Sequence, residues 1–242
     1  MTELYNLRSM SALLHLLPNA LTPLHVEPIP AYQRDLIRSL TYFFVEDLRS
    51  ARRYLKKMVP ELVIDDLHFF EINEHTETAL SDAERILREG QTIAYLSDAG
   101  CPAVADPGQS LVALAHRMGV RVVPHVGPNS ILLALMASGF NGQSFQFHGY
   151  LPNKQPALTQ AIARLETESR QKNQTQLFIE TPYRNNQLLQ ELVKQLHPQT
   201  RLCVACELTG SEEKIVSLSV ADWKKQTHDF HKKPCVFLVY SA

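Results

Sequence analysis

The sequence predicts an α/β protein made of two domains, because strand-like and helix-like segments alternate along its 242 residues. Short apolar runs bounded by turn residues predict strands. Longer segments with apolar residues three and four positions apart predict helices, and glycine or proline follows several of them. Repeats of 20–50 residues and low-complexity stretches are both missing from the sequence, so repeat architectures are excluded.

The first half of the chain predicts five strands and four helices. The strands are residues 11–17, 42–45, 67–72, 92–96 and 120–124, and the helices are residues 32–39, 50–58, 76–89 and 110–118. Gly90 and Gly119 directly follow the last two helices, as expected of residues that end a helix in the left-handed conformation. This alternating order is typical of the α/β class.

The second half continues the alternation and adds hairpin-like pieces near the end. Strands are predicted at residues 145–149, 175–180, 201–206 and 234–240, and helices at 129–138, 157–172 and 185–196. A turn around residues 125–128 is the expected boundary, which gives domains 1–125 and 126–242.

Composition excludes several classes of protein. The net charge of −1 gives no overall basic excess for nucleic acid, so such a partner would have to meet a local patch. Two patches qualify, although each is also typical of a solvated surface: Arg49, Arg52, Arg53, Lys56 and Lys57, and Lys224, Lys225, Lys232 and Lys233. No apolar run of 18 residues and no secretory signal is visible, so a cytoplasmic protein without a membrane span is expected.

The four cysteines favour a reducing compartment and no metal site. Cys203 and Cys206 form a C-x-x-C pair, but they lie in an apolar strand-like run, and no second pair completes a zinc set. We therefore expect these cysteines to be buried structural residues.

Two strand-to-helix junctions are candidates for chemistry. Asp98 and Gly100 follow the strand 92–96, at the strand end where open α/β sheets bind ligands, and Gly100 lets a ligand approach the backbone. At the second junction, Asn129 or Ser130 can cap the next helix, whose start also favours a carboxylate. Spacing alone leaves open whether either junction is a ligand site or an ordinary turn. The chain has no G-x-G-x-x-G, P-loop or G-x-S-x-G motif. The sequence therefore gives no support for a dinucleotide-binding protein, a P-loop nucleotide-binding protein or an α/β-hydrolase.

Seven short motifs, in order, resemble those of the ribosomal RNA small-subunit methyltransferase I family, a branch of the tetrapyrrole methylases. They are Glu46-Asp47-Leu48-Arg49, Glu74-His75-Thr76-Glu77, Ser97-Asp98-Ala99-Gly100-Cys101-Pro102 with Asp106-Pro107-Gly108, Pro124-His125-Val126-Gly127-Pro128, Gly149-Tyr150-Leu151-Pro152, Glu180-Thr181-Pro182-Tyr183-Arg184 and Cys206-Glu207-Leu208-Thr209. Each motif is weak alone, but seven in the family's order are specific.

The resemblance implies a homodimer with two α/β domains and the methyl donor, S-adenosylmethionine, in the cleft between them. The 97–102 loop would hold the methionine end of the donor, and segments after residues 206 and 233 would hold the adenine. The expected donor-binding residues are Pro18, Ser97, Asp98, Ala99, Gly100, Cys101, Pro102, Asp106, Gly127, Pro128, Ser130, Tyr183, Glu207, Leu208, Pro234 and Cys235.

The sequence departs from the family pattern in four places. The family's first loop reads T-P-I-G-N, whereas this chain has Leu17-Pro18-Asn19-Ala20-Leu21 and lacks the glycine. Thr76 replaces an asparagine, and Gly210 replaces a lysine. The resemblance also implies a small C-terminal helical domain, whereas the sequence stops at Ala242, right after the last predicted strand. The motifs therefore predict donor binding more firmly than they identify the acceptor.

By resemblance, the acceptor is a ribose 2′-hydroxyl of small-subunit ribosomal RNA. A tetrapyrrole or other small molecule, or donor binding without turnover, are the alternatives. A hydroxyl acceptor needs a base, for which Glu46, Asp47 and Glu77 are candidates, and Arg49 and Arg184 could clamp a phosphate. The Glu46-Asp47-x-Arg49 stretch is equally consistent with a structural ion pair.

Overall fold

The computed structural model describes residues 12–22, 25–72 and 77–241. The chain divides into two compact units, Met1–Pro128 (unit 1) and Asn129–Ala242 (unit 2). Each unit contains one five-stranded sheet. Strands and helices thus share both halves of the chain, which confirms the α/β class.

Unit 1 is built on a fully parallel sheet. Its strands are β1 (Leu13–Leu17), β2 (Tyr42–Val45), β3 (His68–Glu71), β4 (Ile93–Leu96) and β5 (Arg121–Pro124). They lie in the order β3-β2-β4-β1-β5, and every neighbouring pair is parallel. All five strands consequently end at one edge of the sheet.

Helices cover both faces of this sheet. They are α1 (Tyr32–Arg38), α2 (Leu48–Met58), α3 (Glu77–Arg88) and α4 (Gln109–Arg117). Alternate strand residues separate into two cores: Phe43 packs with α1 and α2, whereas the next residue, Phe44, packs with α3 and α4. The chain moves one way along the sheet through α1 and α2 and the other way through α3 and α4. Right-handed crossovers place such connections on opposite faces.

Unit 2 contains a mixed sheet in the order β6-β7-β10-β8-β9. Its strands are β6 (Phe145–Tyr150), β7 (Thr175–Ile179), β8 (Arg201–Cys206), β9 (Lys214–Ser219) and β10 (Cys235–Tyr240). Strands β6 and β7 are parallel, and the other neighbours are antiparallel.

Four helices pack on this sheet: α5 (Ser130–Ser138), α6 (Ala157–Lys172), α7 (Asn185–Gln195) and the single turn α8 (Val220–Trp223). Helices α6 and α7 cover a core that contains the stacked rings of Phe178 and Phe237. Helix α5 packs against β8, β9 and β10. The sheet is therefore the centre of the unit.

The predicted strands and helices of both units are present, with shifts of a few residues at their ends. Helix α2 begins at Leu48 rather than residue 50, because the Asp47 side chain caps it by accepting from the Ser50 N–H at 2.7 Å. Three elements were not predicted: β9, α8 and a 3-10 turn at Ile64–Asp66. Strand β9 has a polar, half-exposed sequence, and the other two are only four and three residues long.

Cys203 and Cys206 are buried in β8 with free thiols. Within the described ranges, no cluster of His, Cys, Asp and Glu is suited to a metal ion. None of the helices in those ranges has the length and apolar character needed to cross a membrane.

Candidate functional site

The carboxyl edge of the unit 1 sheet gathers the predicted motifs. Strands β1 and β4 are neighbours, but the segments that leave them run to helices on opposite faces. Where this happens in a parallel sheet, the diverging loops leave a crevice, which is the usual ligand site of such folds. The segments at this point are residues 18–22 after β1 and 97–108 after β4.

Asn19 joins these two loops. Its backbone exchanges hydrogen bonds with Gly100, the Asn19 N–H to the Gly100 oxygen at 2.9 Å and the Gly100 N–H to the Asn19 oxygen at 3.1 Å. Its side-chain amide donates to the carbonyls of Ser97 and Asp98, each at 3.0 Å, and accepts from the Ala20 N–H at 2.7 Å. Asn19 is only 6% exposed, so water competes little for these bonds. The arrangement fixes the backbone of residues 97–100 relative to β1.

Close backbone packing fixes the same loops from the other side. A Cβ added to Gly127 would lie 2.2 Å from Cγ of Pro18, so only glycine fits there. Gly100 has a φ of +73°, and an added Cβ would meet Leu21 at 3.2 Å. The Pro18 carbonyl accepts from the Tyr54 hydroxyl at 3.0 Å. The candidate site is thus preorganised by packing and by hydrogen bonds.

Cys101 belongs to this framework as well. Its thiol lies 3.5 Å from the Pro128 carbonyl oxygen and donates towards it. In unit 2, Asn129 caps α5 by accepting from the Leu132 N–H at 3.1 Å, and Ser130 is the first residue of that helix.

A cluster of carboxyl groups lies at the ends of β2 and β4. Glu46 accepts from the Tyr95 hydroxyl at 3.2 Å and from the Asp98 N–H at 3.3 Å. Burial, followed by the nearby charge of Asp106, raises the pKa of Glu46 to about 7. Burial also raises the pKa of Asp106, which accepts from the Ser97 hydroxyl. Near neutral pH, Glu46 is therefore able both to accept and to release a proton.

The other acidic candidates differ from Glu46. The Ser50 N–H that Asp47 accepts as a helix cap holds the pKa of Asp47 below its usual value, which makes it a weak base. Burial raises the pKa of Asp98. Arg49 is exposed and forms no ion pair with any side chain that the structure describes. The Glu77 side chain, and residues 74–76 of its motif, lie outside the described residues.

A small cavity of about 130 Å³ opens beside this cluster. Its walls are Asn19, Ala20, Leu21, Ser50, Arg53, Tyr54, Asp98 and Ala99. It brings one cationic side chain, Arg53, and one anionic side chain, Asp98, to the same space at the start of α2. A ligand that carries both a carboxylate and an ammonium group matches that pair of charges.

The second predicted part of the site lies in unit 2, at the turn after β8. Glu207 and Thr209 have φ values of +50° and +66°, which are strained for residues other than glycine. The Glu207 N–H donates to the Pro234 carbonyl at 3.0 Å. The Thr209 hydroxyl oxygen is buried and has no partner within the described part of the chain. A strained turn with an unpaired buried hydroxyl is typical of a ligand-binding segment.

The cysteines next to this turn face each other across β8 and β10. Cys206 pairs with Cys235 in the antiparallel register. The Cys235 thiol donates to Cys206, which lowers the pKa of Cys206 and raises that of Cys235. Leu208 is buried beside them.

Tyr183 and Arg184 follow β7. Tyr183 is 70% exposed. Arg184 lies 3.2 Å from the nearly buried Glu180 carboxylate, so its guanidinium is already engaged in an ion pair.

Comparison with known proteins places the chain in a family. The family model of tetrapyrrole (corrin/porphyrin) methylases matches residues 27–223. The chain belongs to the tetrapyrrole methylase family. It is 31% identical over 242 aligned positions to the ribosomal RNA small subunit methyltransferase I of Vibrio cholerae, an alignment that covers 92% of this chain and 78% of that relative.

Solved structures show the same tetrapyrrole methylase fold. The methyltransferase CobJ superposes with a TM-score of 0.62 at 18% identity and covers 96% of this chain and 95% of its own. A uroporphyrin-III C-methyltransferase from Thermus thermophilus, crystallised with S-adenosylhomocysteine, gives a TM-score of 0.56 at 16% identity, with 95% of this chain and 98% of its own covered.

Membership of the tetrapyrrole methylase family makes the protein an S-adenosylmethionine-dependent methyltransferase, as the motifs predicted. The residues present suit such a donor. In unit 1, the cavity offers Arg53 and Asp98 to an amino-acid end.

The departure in the first loop of this methylase causes no backbone strain. Ala20 stands where the family has glycine, but it is not among the described residues with positive φ, so the replacement introduces no backbone strain. Sequence reasoning missed Asn19, Arg53, Tyr54 and Tyr95 as parts of the site. Asn19 lies two residues beyond the end of a predicted strand, which is the signal that could have drawn attention to it.

Proposed function

We propose that this methyltransferase methylates a ribose 2′-hydroxyl of small-subunit ribosomal RNA. The observation that carries the acceptor class is the 31% identity to the Vibrio cholerae relative named for small-subunit ribosomal RNA, over 92% of this chain. The position on the ribose is our own step, and it is supported by a proton acceptor near neutral pKa among the site residues. A cytoplasmic location and a homodimer are part of the same proposal. The molar mass of the protein in solution tests the homodimer.

In unit 1, we assign the amino-acid end of the donor to the 130 Å³ cavity. Arg53 would pair with the carboxylate, and Asp98 would accept from the ammonium group. The backbone of residues 97–102, fixed by Asn19 and by packing between Pro18 and Gly127, would line the donor. When bound, S-adenosylmethionine supplies an electrophilic methyl group.

In unit 2, we assign contacts with the adenosine part to the strained turn after β8. Glu207 and Leu208 would provide backbone groups, Pro234 and Cys235 the facing wall, and Thr209 an unpaired hydroxyl. Ser130, at the start of α5, offers an N-terminal hydroxyl to the same ligand.

Glu46 is our choice for the base. When a hydroxyl oxygen forms its bond to the methyl carbon, it must lose its proton, and a carboxylate with a pKa of about 7 can take that proton at physiological pH. Asp47 is less suited as the base because its capping bond lowers its pKa. Arg184 is less suited as a phosphate clamp because its guanidinium already pairs with Glu180. Positioning of the acceptor by the surrounding site supplies the rest of the acceleration.

The test is transfer of a radiolabelled methyl group to small ribosomal subunits that lack the modification, compared with a tetrapyrrole precursor. Labelled RNA that releases 2′-O-methylnucleoside on digestion is the expected result. Labelling of the tetrapyrrole alone would overturn the acceptor assignment. Glu46→Gln should lose turnover while calorimetry shows unchanged donor affinity, and full turnover by that variant would overturn the role of Glu46.

A further inference from the structure

An exposed aromatic ring lies beside a cluster of cationic residues in unit 2. Tyr183 is 70% exposed, and the Lys232 ammonium lies 5.8 Å from the centroid of its ring. The His231 ring meets Tyr183 nearly edge-on, at 78° and 5.9 Å between centroids. We call residues 229–233, Asp-Phe-His-Lys-Lys, the basic turn. Most of the tyrosine surface remains accessible with these contacts in place.

Two asparagines hold the basic turn against the start of α7. The buried Asn185 amide donates to the carbonyl of Lys233 at 2.6 Å. Asn186 accepts from the Phe230 N–H at 2.8 Å and donates to Asp229 at 2.7 Å. These bonds fix the backbone that carries the cationic side chains. A partner would therefore meet a surface that needs little ordering on binding.

The Lys232 backbone attaches the basic turn to the tyrosine loop as well. Its N–H donates to the Pro182 carbonyl at 2.9 Å, one residue before Tyr183. Lys232 itself has a φ of +60°, a conformation that non-glycine residues adopt rarely. The strain is tolerated where the surrounding bonds determine the backbone, and it is typical of functional segments.

Positive charge is concentrated here. Residues 224–233 contain four lysines and one aspartate, a net charge of +3, whereas the whole chain carries −1. Lys225 pairs with Asp222 at 2.9 Å. Lys224, Lys232 and Lys233 form no ion pair with the side chains that the structure describes. Three ammonium groups are thus available to an anionic partner.

We propose that Tyr183 and the basic turn bind a single-stranded segment of RNA. An unpaired base would stack on the Tyr183 ring, and Lys232 and Lys233 would contact the flanking phosphates. Aromatic rings interleaved with lysines are the means by which proteins hold unstacked nucleotides. The proposal rests on the RNA acceptor proposed above, and it assigns Tyr183 to the acceptor rather than to the methyl donor.

The experiment measures binding of the full-length protein to a fluorescent single-stranded RNA of roughly 16 nucleotides, the upper size of a single-strand binding site. Donor affinity is measured in parallel by calorimetry with S-adenosylmethionine. The variants are Tyr183→Ala, Tyr183→Phe and Lys232→Ala. Matched controls are Phe145→Ala, an exposed ring at the opposite end of the sheet, and Lys194→Ala, an exposed lysine in the last turn of α7.

Tyr183→Ala should weaken RNA binding about tenfold or more, the effect of removing a base-stacking ring, with donor affinity unchanged. Tyr183→Phe keeps the ring and should bind RNA as the wild type does. Lys232→Ala should reduce the slope of log affinity against log salt by about 0.7, the value for one single-strand phosphate contact. The two controls should leave RNA affinity unchanged.

Three outcomes would overturn the proposal that this surface binds RNA. They are wild-type RNA affinity in Tyr183→Ala, an equal loss of RNA and donor affinity in that variant, or a tenfold loss of RNA affinity in the controls. Methylation of small ribosomal subunits by the wild type separates this failure from failure of the proposed function. If subunits are methylated and Tyr183→Ala binds RNA normally, only the surface is wrong. If subunits are not methylated, the acceptor proposal itself is wrong.

Discussion

Asn19→Ala should destabilise unit 1 and weaken donor binding. The substitution removes a buried hydrogen bond to the Ser97 carbonyl, a partly buried one to the Asp98 carbonyl, and a bond that the side chain accepts from the Ala20 N–H. Each such bond contributes about 1 kcal/mol net, and a buried group left without a partner costs about 1–3 kcal/mol. Because a shifted loop can regain part of this, we expect a loss of about 2–4 kcal/mol in the free energy of unfolding.

The assay is urea unfolding followed by two signals. Trp223, the one tryptophan of the chain, lies buried in unit 2, so its fluorescence reports that unit, whereas far-ultraviolet circular dichroism reports both. Asn19→Ala should move the dichroism transition to lower urea with little change in the fluorescence transition. Calorimetry should show weaker binding of S-adenosylmethionine.

The matched control is Asn141→Ala. This asparagine also bridges loop backbone, through a bond to the Asn173 carbonyl at 2.6 Å, but at the surface of unit 2. Its loss should cost less than about 1 kcal/mol, because water replaces the exposed bond, and donor affinity should not change. If Asn19→Ala unfolded at the wild-type urea concentration and bound donor with wild-type affinity, the role given to this residue would be refuted.

Three further substitutions test other parts of unit 1. The raised pKa of Glu46 means that the folded state keeps a proton on this carboxyl group that the unfolded chain has already lost. The protonated group's contribution to the free energy of unfolding is therefore complete below the unfolded pKa and is lost as pH rises through about 7. Glu46→Gln should raise the urea midpoint at pH 8 more than at pH 5, because the amide stays neutral at both pH values. Burial lowers the pKa of His15 to about 4, so stability present above pH 6.5 is lost as pH falls towards 4, and His15→Asn should flatten that loss in acid titrations of stability. Gly127→Ala would drive a Cβ into Pro18 at 2.2 Å and should cost about 1–3 kcal/mol in thermal or urea unfolding, whereas Gly142→Ala, with nothing within 4 Å, should be neutral.

The regular parts of the fold were predictable because their signals are local. Buried parallel strands such as β4 are continuous apolar runs, and helices such as α3 show their apolar face in the spacing of Ala79, Ala83 and Ile86. Strand β9 escaped prediction because it lies at a sheet edge, where its half-exposed Lys-Ile-Val-Ser-Leu-Ser sequence needs no apolar run.

The candidate site was predictable only in part, because many of its contacts join residues that are far apart in sequence. The family motifs pointed to residues 97–102 and to Glu46, but the residues that fix or tune them act across long distances in sequence. Asn19 bonds to carbonyls 78 and 79 positions away, and Tyr95 reaches Glu46 across 49 positions. Such contacts depend on the order of strands in the sheet, and no local pattern records them.

The raised pKa of Glu46 has the same origin. It comes from burial and from Asp106, which is brought close by the path of the loop after β4. Asp47, its neighbour in sequence, has a lowered pKa because it caps a helix. Two adjacent carboxylates thus differ in their chemistry for reasons that composition and spacing do not reveal.

The ending of all five unit 1 strands at one edge has an evolutionary consequence. The hydrophobic side chains that hold the sheet lie on its two faces, whereas the loops that meet a ligand lie beyond the strand ends. Substitutions at loop positions that make no framework contact therefore leave the folding core intact, unlike changes at Asn19 or Gly127. A scaffold divided in this way can acquire a new acceptor by substitutions in a few exposed segments, while most of the residues that stabilise the sheet stay unchanged.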